Sequence, residues 1–124
     1  MKFYLCSHCG NLITHMNDSG VPVVCCGEPM KLLCPNTADA AGEKHLPVIA
    51  KDGLNIVVTV GTAEHPMLPE HFIQWILLET RRGCLLKRLN PGEAPKAEFI
   101  LCEDDEAVAA YAYCNLHGLW KTEV

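Results

Sequence analysis

Near the C-terminus, Tyr113-Cys114-Asn115-Leu116-His117-Gly118-Leu119-Trp120 sets a thiol and an imidazole three positions apart, a spacing that suits metal ligation. Three upstream histidines, His45, His65 and His71, are available to join them. Four nitrogens and one sulfur differ from the closed four-ligand sets of structural zinc, and a mixed His/Cys shell with an open position points to redox iron or copper. Taken singly, each histidine reads as a surface or hydrogen-bonded residue. Together, in loops or at strand ends of one region, they read as ligands. Pro66 and Pro69 stiffen the segment between His65 and His71.

A second set stands at the other end. Cys6-Ser7-His8-Cys9 is a C-x2-C knuckle, and Cys25-Cys26 follows fifteen residues later, which is a strong metal signal. Vicinal ligands must strain the backbone or open a sulfur-metal-sulfur angle, so a distorted tetrahedral site is expected. Iron for electron transfer and zinc as a staple both suit four thiolates. His8 reads as a solvent-facing loop residue, because the thiolates already fill the shell.

The elements that must position these residues divide into two. Residues 1–35 read as a metal ribbon, with strand-like Leu12-Ile13-Thr14 and Val21-Pro22-Val23-Val24 joined as a hairpin through Asn17-Asp18-Ser19-Gly20. Pro22 predicts an edge strand. A piece this small cannot bury enough apolar surface to offset its chain entropy, so metal must supply most of its folding free energy. Residues 35–42 read as a linker. Residues 36–124 then alternate β-rich runs with turns: Leu46 to Ile49, Leu54 to Val60 after the Asp52-Gly53 turn, Phe72 to Thr80, Cys84 to Leu89, Ala97 to Cys102 and Ala107 to Tyr113. That spacing predicts an all-β fold with a β-sandwich. Trp75, Trp120 and the tyrosines read as core residues, as do Cys84 and Cys102, whereas Cys34 reads as exposed.

Composition narrows the function. A hydrophobic content of 49% over 124 residues supports one conventional core, and a net charge of -5 without a basic run argues against nucleic acid as a partner. No stretch is long and apolar enough for a membrane span, and Met1 to Cys6 lacks the apolar region of a signal peptide. Eight cysteines in such a chain are expected to be reduced and metal-bound in the cytoplasm.

These residues carry a resemblance over the whole chain. Cys6-x2-Cys9 with Cys25-Cys26-Gly27-Glu28-Pro29-Met30 resembles the desulforedoxin module. Glu43-Lys44-His45-x-Pro47-Val48, Glu64-His65-Pro66-Met67, His71 with Trp75-Ile76, Pro91-Gly92-x-Ala94-Pro95 and Cys114-Asn115-Leu116-His117-Gly118-x-Trp120-Lys121 resemble superoxide reductase. The order is that of the desulfoferrodoxins. The resemblance implies an immunoglobulin-like sandwich, a homodimer, an Fe(Cys)4 centre on Cys6, Cys9, Cys25 and Cys26, and an Fe(His)4Cys centre. His45, His65, His71 and His117 would supply the nitrogens of the second iron and Cys114 its sulfur. Glu43 and Lys44 match the loop over its open position, and rubredoxin is the implied electron donor.

Superoxide reduction needs one electron, two protons and a positive group to draw in the anion, and Lys44 can provide that attraction despite the acidic whole. Dismutation is a competing chemistry. A zinc-stapled protein-interaction module, with incidental histidines, is a non-catalytic alternative.

Overall fold

The computed structural model describes residues 1–124, which form two compact units, Met1–Cys34 and Pro35–Val124. The first holds five strands of two residues each: β1 (Tyr4–Leu5), β2 (Leu12–Ile13), β3 (Val24–Cys25), β4 (Glu28–Pro29) and β5 (Lys31–Leu32). β2 and β5 flank β1 antiparallel, and β3 pairs with β4. The expected hairpin from Leu12–Thr14 to Val21–Val24 therefore does not form, and Pro22 lies outside any strand. The loop between them satisfies its backbone locally instead: Gly20 N–H donates to Asp18 Oδ1 at 2.8 Å and Val21 N–H to Ser19 Oγ at 3.3 Å. The tight hairpin comes one step later. Cys26 and Gly27 form its two-residue loop at φ 52° and 78°, the paired positive values of a type I′ turn.

The second unit opens with α1 (Gly42–His45), a single turn, and continues through β6 (Pro47–Asp52), β7 (Asn55–Val60), β8 (Ile73–Thr80), β9 (Cys84–Arg88), β10 (Lys96–Ile100), β11 (Ala107–Cys114) and β12 (Gly118–Glu123). One sheet runs β10-β7-β6 and the other β12-β11-β8-β9, all antiparallel. Alternation builds the core between them: Ile56, Val58 and Val60 from β7, Ala97 and Phe99 from β10, and Ala110, Ala112 and Cys114 from β11 point inward. This is the immunoglobulin-like sandwich that the resemblance implies. A bulge at Gln74, where β11 steps from Trp75 to Ile73, resets the alternation of β8, so Ile73 and Ile76 both reach the core.

Two sequence expectations are corrected here. Cys84 and Cys102 are exposed, not core. Every residue of β9 is exposed at the sheet edge, and Cys102 falls just past the end of β10, where the alternation that buries Leu101 turns it outward. Residues 35–42 are not a free linker either. Asn36, at φ 61°, donates to the Leu119 and Lys121 carbonyls and accepts from Lys121 N–H at 2.8 Å, extending β12.

Two candidate metal centres

In the first unit the Cys6 to Cys9 knuckle closes on itself: Gly10 N–H donates to the Cys6 carbonyl at 3.0 Å and Cys9 N–H reaches Cys6 Sγ at 3.5 Å. The β3–β4 turn presents Cys25 and Cys26 opposite, and the four sulfurs lie within 4.8 Å of one another. The vicinal pair does strain the chain, since Cys26 is a non-glycine residue in the left-handed region, at a cost of about 1 kcal/mol or more. Backbone N–H groups of Cys9 and His8 pull the Cys6 thiol down to about 6, while the crowding of Cys9 and Cys6 raises Cys25 and pushes Cys26 up to about 12. One thiolate forms readily. Four need a cation among them. His8 is exposed and pairs with Glu28 at 3.1 Å, away from this task.

The second centre assembles at one end of the sandwich. α1 delivers His45, buried at its last position. The turn rests on Gly61, whose missing side chain is required: a Cβ there would stand 2.3 Å from the Ala63 carbonyl oxygen and 2.7 Å from that of Lys44. Gly61 N–H donates to the Leu46 carbonyl, and Ala63 N–H to that of Glu43, both at 3.0 Å. His65 follows β7 and is buried. His71 precedes β8, its backbone paired with Leu68. Cys114 ends β11, fully buried, and the turn into β12 returns His117 so that its Nδ1 lies 3.8 Å from Cys114 Sγ. Burial raises the Cys114 thiol, opposed by the backbone N–H groups of His117 and Leu116 aimed at its sulfur.

The four imidazoles form a closed ring. Neighbouring centroids are 4.7 Å apart for His45 and His65, 4.7 Å for His65 and His71, 5.1 Å for His71 and His117, and 4.8 Å for His117 and His45. Across the ring, His45 and His71 are 6.3 Å apart. Hydrogen bonding fixes two tautomers. His45 Nδ1 lies 2.8 Å from the Ala41 carbonyl and His65 Nδ1 2.6 Å from that of Pro66, and a carbonyl only accepts, so both protons sit on Nδ1. The Nε2 lone pairs of the two rings then face each other at 3.2 Å, with His117 Nδ1 3.1 Å from His45 Nε2. Protonation is disfavoured here, because burial lowers His45 and takes His65 down to about 4. His71 Nε2 is buried without any partner.

Inward lone pairs of buried neutral imidazoles, an orphaned nitrogen and an inward thiol are a donor set that fits a transition-metal cation. The structure thus brings together all nine cysteines and histidines that sequence reasoning selected, in two groups. Glu43 and Lys44 lie beside the second group with exposed side chains. Lys44 borders a cleft of about 560 Å³ with Glu64, His65, Pro66 and Met67, and its charge depresses His45 and His71 further, behind the larger effect of burial. Sequence reasoning took Trp120 for core alone and passed over Gly61. Only the backbone approach of Lys44 reveals the second, and the indole N–H bond to His117 the first.

Comparison with known proteins agrees with this geometry. The family profile described as desulfoferrodoxin matches residues 37–123, and that of the desulfoferrodoxin N-terminal domain matches residues 1–33. Desulfoferrodoxin of Nitratidesulfovibrio vulgaris is 48% identical over 122 residues, covering 98% of this chain and 95% of the relative. A desulfoferrodoxin homolog of Archaeoglobus fulgidus is 45% identical over 98% of this chain and 96% of its own. Among solved structures, the superoxide reductase of Treponema pallidum superposes with a TM-score of 0.81 at 39% identity, covering 98% of both chains.

Proposed function

This chain belongs to the desulfoferrodoxin family, and from that membership and the two centres we propose that it is a superoxide reductase, converting superoxide with one electron and two protons to hydrogen peroxide. The observation that carries the reading is the pair of facing Nε2 lone pairs on His45 and His65, which a metal cation between them would reconcile. His45, His65, His71 and His117 with Cys114 hold one iron, and Cys6, Cys9, Cys25 and Cys26 hold the other. When bound, the iron of the His/Cys centre supplies the electron that superoxide takes up.

The chain does the rest. The Ala41 and Pro66 carbonyls keep the Nδ1 protons of His45 and His65 outside, so both rings stay neutral donors. N–H groups of Leu116 and His117 favour the thiolate of Cys114, and the stacked Trp120 packs against the His45 ring. Lys44 draws the anion to the exposed side, where solvent supplies protons, and Glu43 stands beside it on the same turn.

Cys6, Cys9, Cys25 and Cys26 would hold the iron of the first centre, and a rubredoxin-like protein is the electron donor that the resemblance implies. The protein works as a homodimer in the cytoplasm; its eight free cysteines suit a reducing compartment, and the exposed Ile100 and Val48 of the β10-β7-β6 sheet offer apolar surface to a second copy. The test is iron content followed by stoichiometry. Two irons per chain and one peroxide per superoxide consumed are expected; half that peroxide yield marks a dismutase, and zinc alone marks a stapled binding module.

A further inference from the structure

Two of the four histidine rings are aimed by hydrogen bonds of their own to backbone carbonyls, and a third by the turn that carries it. His45 and His65 hold carbonyls through Nδ1, and His117 sits in the tight turn after Cys114, with its carbonyl bonded by Trp120. The His71 ring has no hydrogen bond, and its Nε2 is buried without a partner. Apart from edge-to-face packing on His65 and His117, its direction comes from its backbone.

That backbone is gripped from both sides by one residue. Phe72 N–H donates to Asn115 Oδ1 at 2.9 Å, and Asn115 Nδ2 donates to the Glu70 carbonyl at 3.0 Å. Asn115 N–H also donates to the Phe72 carbonyl at 3.2 Å. The side-chain amide therefore spans the peptide groups on either side of His71, while the His71 backbone itself pairs with Leu68 at 3.0 and 3.1 Å. The Gln74 bulge sets this up, because it shifts the β8 register so that Cys114 lies opposite Ile73 and Asn115 beside Phe72.

We propose that Asn115 is a positioning residue of the His/Cys centre: its side-chain amide fixes the backbone around His71 and so helps aim a ring that has no hydrogen bond of its own. The inference rests on the reading of His71 as an iron donor. Asn115 links the Cys114–His117 turn to the Glu70–Phe72 segment, so donors from two distant parts of the chain are set in register by one amide. Outer partners of this kind change metal affinity about 10- to 100-fold when removed.

The test is a double-mutant cycle in the full iron-loaded chain, with Asn115→Ala, His71→Ala and the double variant. The readout is the Fe(II) dissociation constant of the His/Cys centre, from competition with a chelator of known affinity. Asn115→Ala is expected to weaken binding about 10- to 100-fold, and to add nothing once His71 is already alanine. Wild-type affinity in Asn115→Ala overturns the proposal. So does a double variant whose loss is the product of the two single losses, since Asn115 then acts elsewhere than through His71. His71→Ala with wild-type affinity overturns the ligand reading itself, a separate result. If Asn115→Ala does not fold, Asn115→Asp carries the same cycle: it keeps the acceptor for Phe72 and loses the donor to Glu70, and the same outcomes decide.

Discussion

The indole of Trp120 lies against the His45 imidazole, 4.8 Å between ring centroids and 26° from parallel, while its Nε1–H donates to the His117 carbonyl at 3.2 Å. One buried side chain thus backs a donor from the start of the sandwich and anchors the turn that carries another from its end. Its two roles separate by substitution. Trp120→Phe keeps an aromatic face on His45 and removes the hydrogen bond, with an expected loss of about 1 kcal/mol in denaturant unfolding and faster iron loss to a chelator. Trp120→Ala also empties a core site and is expected to cost about 3–5 kcal/mol. Equal unfolding midpoints for Trp120→Phe and wild type would show that the bond to His117 contributes nothing.

Gly61 tests the docking of α1. It adopts φ 86°, and a Cβ there meets backbone, which cannot swing aside as a flexible side chain could. Left-handed strain alone costs about 1–2 kcal/mol for a non-glycine residue. Gly61→Ala is therefore expected to destabilise by more than that, and to displace the Glu43–Leu46 segment from its bonds to Gly61 and Ala63. Both a lower unfolding midpoint and a slower superoxide reaction should appear together. A stable variant with wild-type rate would mean the turn is held by something other than this close approach.

Metal removal should act unequally on the two units. The sandwich buries Ile56, Val58, Val60, Ile73, Ile76 and Leu78 completely, whereas Met1–Cys34 buries only Phe3 and Cys6 among its hydrophobic residues. A piece with so little apolar burial depends on its ligands for folding. With metal stripped under reducing conditions, amide exchange should become fast across Met1–Cys34 and stay protected in β7, β8 and β11. Protection that survives equally in both units would contradict this view of the first unit.

Much of this was legible beforehand, for identifiable reasons. Period-2 alternation in Leu54–Val60 and Ala97–Cys102 reports directly on which face is buried, and ligand spacing in Cys6-x2-Cys9 and Cys114-x2-His117 reports on metal. The ribbon hairpin was misread because turn-forming residues 17–20 announce a reversal without saying whether flanking strands pair, and the side chains of Asp18 and Ser19 satisfied the loop locally. Cys84 looked buried because Leu85 and Leu86 follow it, but position at a sheet edge is a property of topology, not of local pattern. The contacts that matter most around His45 and His71 run through backbone carbonyls and amides of Ala41, Pro66, Glu70 and Phe72, which leave no mark on residue identity.

Lys44 gives the most direct functional prediction. The chain carries a net charge of -5, so the approach of a superoxide anion is opposed at long range and depends on local positive charge at the site. Lys44 is exposed on the turn that bears His45, and it borders the cleft beside His65. Screening acts over roughly 10 Å at 0.1 M salt, so its pull is greatest at low ionic strength. Lys44→Ala should lower the second-order rate about tenfold at low salt, the small end of electrostatic steering, and less as salt rises. Lys44→Arg should retain the rate, because charge and not the ammonium itself does the steering. Stability should hardly change, since the side chain is exposed. Stopped-flow rates across a salt series decide the matter: identical salt dependence in wild type and Lys44→Ala would remove Lys44 from the approach of the anion.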